Sequence, residues 1–186
     1  MKDTLGLFEL FQTNLDGCCR IQPVVRRDAR GAFVKTFHVE AFRELGLPDT
    51  FREEYYSVSS HNVLRGLHFQ TPPSACGKLV YCLEGSVWDV ALDLRRSSPT
   101  YGQSFFLELD SNIGNMLYIP EGFAHGFYTL SRQAVMVYKV TQVYDRDHDE
   151  GILWNSAGIP WPCENPQLSE RDRSFPRFSG FDAPFL

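Results

Sequence analysis

No apolar run in this chain approaches the roughly 18 residues that a membrane-crossing helix needs. The opening segment, Met1 to Gln12, puts Asp3 and Glu9 inside what would have to be the apolar stretch of a signal peptide, so neither export nor a membrane anchor is expected. Basic clusters are missing as well. The 18 Lys and Arg stand against 23 Asp and Glu, a net charge of −5, without any lysine- or arginine-rich run. That excludes a general nucleic-acid or anionic-membrane surface, and an anionic ligand must be met by a few placed cations. The five cysteines (Cys18, Cys19, Cys76, Cys82, Cys163) form an odd set with no C-x-x-C pair. They suggest neither a disulfide framework nor a zinc knuckle, and fit reduced thiols in the cytoplasm. Helical patterns are scarce; the clearest is His38–Leu47, where Val39, Phe42 and Leu45 share a face and Gly46 can end the helix.

What is present is an ample apolar fraction, 43% of 186 residues with 14% aromatic, which fits one packed domain spanning 1–186. Short aromatic and β-branched stretches, punctuated by Gly, Pro, Asn and Asp, predict strands over Gly31–Phe37, Glu53–Ser59, Val63–Gln70, Lys78–Leu83, Ser86–Leu94, Ser104–Leu109, Asn115–Ile119, Gly126–Leu130 and Ala134–Tyr144. So many short strands imply an all-β barrel or sandwich. Glu84-Gly85 reads as a tight hairpin turn. Beyond it, Trp88, Val90, Leu92 and Leu94 alternate with Asp89, Ala91 and Asp93, and the pattern leaves open which face turns inward. The proline-rich tail from Ser156 onward reads as an ordered wrap.

The densest polar cluster within an apolar strand is Val63–Gln70, where alternation puts Leu64, Gly66, His68 and Gln70 on one face. Strict alternation sends Arg65 to the other face, so a site shared by Arg65 and His68 requires a twist or a bulge at Gly66. Taken alone, the strand fits a satisfied core histidine and a surface arginine equally well. Lys78 follows a turn-rich loop and opens an apolar strand, a place where lysines are ordinarily solvated. Tyr138 lies in the strand Val135–Val140, where a buried tyrosine is usually packing with a bonded hydroxyl. The spacing Pro120-x-Gly122-x-x-His125 resembles the second motif of cupin barrels, whose metal sites use a His-x-His pair, a Glu and that later His. Here the pair reads His68 and Gln70, one imidazole short, so a metal-free site is expected, since protein-held transition metals usually have three or more His or carboxylate donors.

Seven segments in order carry a more specific resemblance: Leu64–Gln70, Gly77–Val80, Asp89–Arg95, Ser98–Gly102, Ile119–Phe127, Tyr138-Lys139 and Leu168–Asp172. With Asp28-Ala29-Arg30-Gly31-Ala32-Phe33, they resemble the dTDP-4-dehydrorhamnose 3,5-epimerase family over much of the chain. The resemblance implies a cupin-like jelly-roll barrel or sandwich with a few short helices, a homodimer whose N-terminal strands can pair with the partner, no cofactor, and a nucleotide-diphosphate-linked 4-keto-6-deoxy sugar as substrate. It implies His68 as base, Asp172 as its partner, Tyr138 as acid and Lys78 beside the developing enolate. Arg65, Gln70 and Arg30 match diphosphate or nucleotide contacts, Arg30 across the dimer; His125 and Asp89 match positions near the pocket, and Phe33 is the candidate for stacking on the base. Where the family commonly has Gln-x-Asn-x-Ser before the Leu-Arg-Gly-Leu-His strand, this chain has Glu53-Glu54-Tyr55-Tyr56-Ser57, so Glu53 and Tyr55 stand as altered substrate contacts. Trp154-Asn155-Ser156 replaces the common Trp-Asn-Asp.

The chemistry suits such a set. A C4 ketone acidifies the hydrogens on C3 and C5, and the substrate carries its own electron sink. Inversion takes a proton from one face and returns one to the other, which requires two groups facing each other across the ring. An ordinary imidazole, near pKa 6.5, can accept a proton at neutral pH, and a phenol near about 10 can give one. The alternatives are an enzyme inverting only one carbon, or acting on a CDP- or GDP-linked sugar or a heptose, and, from another class, a non-catalytic or metal-dependent cupin that binds a small molecule.

Overall fold

Alternation of buried and partly exposed residues along Phe8–Gln12 and Cys19–Pro23 builds two strands, β1 and β2, that pair antiparallel at the N-terminus of a computed structural model describing residues Met1–Leu186. The remaining strands are β3 (Val25–Asp28), β4 (Gly31–Val34), β5 (Glu53–Ser60), β6 (Leu64–Gln70), β7 (Lys78–Glu84), β8 (Ser86–Asp93), β9 (Ser104–Asp110), β10 (Met116–Ile119), β11 (Phe123–Thr129), β12 (Gln133–Val140) and β13 (Asp149–Gly151). Two short helices complete the chain, α1 (Val39–Glu44) and α2 (Glu170–Ser174). His38 caps α1, and Gly46, at a φ of 72°, follows its end, close to the expected helix.

The strands form a six-stranded sheet in the order β1-β2-β10-β7-β12-β5, a five-stranded sheet β13-β6-β11-β8-β9, and a separate β3-β4 hairpin. This is the expected all-β sandwich of the cupin-like kind. Between the two sheets, Val80, Met136 and Leu117 meet Val87, Ala91, Leu109 and Phe127 in one buried cluster. A second cluster packs α1, through Phe42 and Leu45, on Phe8, Ile21, Leu79 and Met116. The third settles the orientation of β8. Val90, Leu92 and Leu94 face outward, and Ile159, Ala183 and Phe185 of the C-terminal tail bury them there. The carboxylate-bearing face of β8 is therefore the inner one, which is why its carboxylates need dedicated partners: Asp93, fully buried, accepts from the side chains of Arg95, Ser98 and Thr100.

Glu84-Gly85 is not the turn of a hairpin. β7 and β8 belong to different sheets and do not pair; Gly85, at a φ of 78°, carries the chain across the sandwich, and a Cβ there would lie 2.2 Å from the Gln133 carbonyl oxygen. Local turn chemistry read the glycine correctly, but it does not say which partner the next strand selects.

A bulge settles the question of Arg65. On β11, His125 pairs with His68 and Phe127 pairs with Arg65, so Gly66 and Leu67 together oppose the single residue Gly126. Directly opposed residues share a face, and His125 and Phe127 are two apart on theirs, so the extra residue brings Arg65 and His68 to the same inner face. Glycine is required at the bulge. Gly66 has a φ of 127°, and a Cβ on it would sit 2.6 Å from the Gly126 Cα. Gly66→Ala is expected to lower unfolding stability by about 2–4 kcal/mol, combining backbone strain with a clash that has no flexible partner. Urea denaturation checks this, and a loss under about 1 kcal/mol would mean that the bulge relaxes freely.

Candidate active site

The two sheets enclose a cavity of about 370 Å³, with Arg65 and His68 of β6 and His125 of β11 on one wall and Lys78 of β7 and Tyr138 of β12 on the other. His68 and Tyr138 therefore open into one compartment from opposite sides. His68 Nε2 lies 2.8 Å from Asp172 Oδ1, and the edge of Phe175 packs against the imidazole at 5.5 Å. This contact commits Nε2 and leaves Nδ1 as the ring nitrogen without a protein partner.

Asp172 reaches the imidazole because the tail is stitched to β6. The Leu64 amide donates to the Gln167 carbonyl, and the Gln167 amide donates to that of Asn62. Ser169 then caps α2 by accepting from the Asp172 amide, which turns the Asp172 side chain inward to 5% exposure. Burial works to raise the Asp172 carboxyl. The hydrogen bond and charge of His68, with the Gly66 amide and Ser169, outweigh it and hold the group below its ordinary value.

On the other wall, burial pushes the Tyr138 phenol well above its ordinary value, against the lowering effect of a hydrogen bond with Ser57 Oγ at 3.2 Å, so the phenol stays protonated throughout the neutral range. Lys78 is enclosed and its Nζ donates to the His68 carbonyl at 3.1 Å. Burial pulls this ammonium below its ordinary value, with the acidic groups of Cys76, Asp149 and Asp89 opposing. Arg65 is held by Ser59 Oγ at 2.9 Å and the Val58 carbonyl at 3.1 Å, which fixes a planar guanidinium at the cavity wall. No group of three or more His, Cys, Asp or Glu side chains is arranged to hold a metal ion.

A sequence model described as dTDP-4-dehydrorhamnose 3,5-epimerase matches residues 12–180. A dTDP-4-dehydrorhamnose 3,5-epimerase from Shigella flexneri is 42% identical over 176 residues, covering 93% of this chain and 97% of its own length. Another, from Salmonella typhimurium, is 46% identical over 160 residues, 84% of this chain and 87% of the relative. Among solved structures, dTDP-6-deoxy-D-glucose-3,5-epimerase from Legionella pneumophila in complex with dTDP-4-keto-L-rhamnose superposes with a TM-score of 0.91 at 38% identity, covering 96% of this chain and 97% of that one. The chain belongs to the dTDP-4-dehydrorhamnose 3,5-epimerase family. It is an isomerase of the carbohydrate-epimerase type.

Within this epimerase fold, two residues expected to contact the substrate are engaged by the protein itself. Asp89 is fully buried and does not line the cavity; its Oδ1 lies 2.8 Å from His125 Nε2, so it backs His125 and cannot touch a ligand. Gln70 does line the cavity, but its Nε2 donates to the Ser74 and Val143 carbonyls and its Oε1 accepts from the Asp145 amide. A diphosphate needs donors, and both N–H groups of Gln70 are taken. Its role is to tie the end of β6 to the segment 143–145.

Glu53 and Tyr55 line the cavity beside Tyr138, with Glu53 Oε2 accepting from the Tyr144 amide at 2.7 Å. Arg30 and Phe33 do not reach the cavity of their own chain. They sit on the β3-β4 hairpin, where Arg30 is bonded to Asp28 and Phe33 is 62% exposed. Sequence reasoning missed Asp149, Tyr144 and Arg171 as lining residues. Arg171 bonds to Asp149 at 2.7 Å. Its only signal was adjacency to Asp172; Tyr144 lies beyond the end of β12, where the expected strand was drawn too long, and Asp149 opens β13, a strand too short to display a period.

Proposed function

We propose that this protein inverts C3 and C5 of dTDP-4-dehydro-6-deoxy-D-glucose, giving dTDP-4-dehydro-L-rhamnose, by proton abstraction to an enolate and reprotonation from the other face. The observation that carries this reading is the placement of a carboxylate-backed imidazole and a protonated phenol on opposite walls of one cavity. His68 takes the proton on Nδ1. Asp172, held ionised, fixes the ring orientation and stabilises the imidazolium that forms. Negative charge gathers on the C4 oxygen, where the Lys78 ammonium stabilises it, and Tyr138 then delivers a proton to the opposite face. Arg65 holds the diphosphate by its guanidinium fork. His125, backed by Asp89, lines the sugar end.

Arg30 and Phe33 belong to this site only across a homodimer, with the β3-β4 hairpin of one protomer reaching the cavity of its partner. Light scattering on the eluted protein is expected to give twice the chain mass of 21.3 kDa. A monomer that is fully active would overturn the assignment of both residues. A cytoplasmic location belongs to the same reading, and five free cysteines support it.

The test is NMR of the products formed from dTDP-4-dehydro-6-deoxy-D-glucose, with CDP- and GDP-linked analogues alongside. Inversion at both carbons of the dTDP sugar is expected. Inversion at one carbon, or turnover of only a CDP- or GDP-linked sugar, would move the protein to the corresponding alternative.

The pH dependence follows from Lys78. Enolate stabilisation needs the charged form, and burial lowers this pKa, so kcat/KM is expected to fall on the alkaline side with an apparent pKa below the ordinary lysine value. Tyr138, shifted upward, cannot produce that limb. Lys78→Met should lack the limb and lose about 3–4 kcal/mol of transition-state stabilisation, more than a hundredfold in rate. A wild-type profile flat through the lysine range would remove Lys78 from this role.

A further inference from the structure

A phenol gives its proton to one face of a substrate only if its ring is held, and strand β5 holds Tyr138 at two points. Tyr55 stands directly opposite Tyr138 in the β5-β12 register. The two rings lie nearly parallel, 16° apart, with centroids at 4.8 Å. Two residues along, on the same face of β5, Ser57 reaches the Tyr138 hydroxyl. His125 closes the remaining side, its ring meeting that of Tyr138 edge-on at 6.0 Å. Tyr138 is 7% exposed and Tyr55 42%, so Tyr55 is the outer cover of the ring that Ser57 pins at its tip.

We propose that Tyr55 is a positioning residue for the acid: its ring, stacked on Tyr138, sets the plane from which the hydroxyl protonates the sugar. The proposal rests on the epimerase reading given above. It separates two steps. Abstraction by His68 on the other wall does not depend on the orientation of Tyr138, whereas delivery to the opposite face does, and misplacing a reacting group by about 1 Å can cost on the order of a hundredfold. Stacking uses the ring of Tyr55 and not its hydroxyl, so phenylalanine can replace it and an aliphatic side chain cannot. The sequence reading of Tyr55 as an altered substrate contact predicts something different, a change in KM.

The test compares the wild type, Tyr55→Leu and Tyr55→Phe with dTDP-4-dehydro-6-deoxy-D-glucose in heavy water, following deuterium uptake and inverted product separately. Tyr55→Leu is expected to keep KM and deuterium uptake within about threefold while inversion slows about 10- to 100-fold, and Tyr55→Phe to recover most of that loss. A second readout needs no substrate. With labelled tyrosine and the Tyr138 signal assigned through Tyr138→Phe, the ring-current shift of Tyr138 should change in Tyr55→Leu and persist in Tyr55→Phe. A rise in KM with kcat unchanged, or an unmoved Tyr138 signal, would overturn the proposal. Should the wild type take up no deuterium at all, the epimerase reading fails, and the Tyr138 signal still decides whether Tyr55 orients the ring.

Discussion

Replacing His68 with alanine is expected to abolish solvent hydrogen exchange at C3 and C5 together and to lower kcat/KM by about 10²–10⁴-fold, the range over which a positioned general base contributes. In the proposed reaction one imidazole serves both carbons, so a variant that loses exchange at one carbon and keeps it at the other would show that a second base exists. The geometry also supplies a control for folding. Removing the imidazole takes the main partner from a carboxylate that is buried in the wild type, leaving Asp172 with the Gly66 amide and Ser169, which is costly. His68→Asn, which retains a polar side chain at the site, should therefore be as inactive as His68→Ala and more stable in urea. Equal stability of the two would mean that Asp172 is indifferent to its partner.

Tyr138→Phe is expected to separate the two halves of the reaction. The ring still stacks on Tyr55 and packs in the inner cluster, so the variant folds, and His68 with Lys78 still forms the enolate. Protons then return from the side of His68, and the original configuration is restored. Deuterium uptake persists, while inverted product falls by about 10²-fold or more. Heavy-water NMR reports both quantities in one experiment. Normal inversion by Tyr138→Phe would identify another acid on that wall, and loss of uptake along with inversion would mean that the phenol takes part in forming the enolate.

The sequence patterns made much of this molecule legible because the strands obey a simple rule. Period-two alternation and turn residues located β5 through β10 closely, whereas the expected Gly126–Leu130 misses the start of β11 and Ala134–Tyr144 runs past the end of β12. The short N-terminal strands β1 and β2 carry alternation too, yet the expected strand list begins only at Gly31, and strands before it entered solely through the resemblance. α2 was missed because a five-residue helix has no apolar period to display; its trace in the sequence is the cap, Ser169 three residues before Asp172. Long-range choices were less visible. Nothing in Glu84-Gly85 says that β8 leaves the sheet of β7, and nothing in Trp88–Leu94 says that the tail will cover the greasier face.

The site shows the same division. The residues on regular strands, His68, Lys78, His125 and Tyr138, were placed together by motif order, and the bulge at Gly66 supplied the condition under which Arg65 could join them. Gln70 and Asp89 stood near the substrate through the family resemblance alone, and a motif position does not show what a side chain bonds to. Only coordinates show that one is saturated by backbone groups and the other lies beneath a histidine.

The most direct measurement is a single turnover of dTDP-4-dehydro-6-deoxy-D-glucose by the wild-type protein in heavy water, with the product read by NMR for label and configuration at each carbon. Deuterium on both C3 and C5, each with inverted configuration, is the predicted result. Inverted product carrying solvent label at neither carbon would contradict a base and an acid on opposite walls, because the proton removed on one side would then be the one returned on the other.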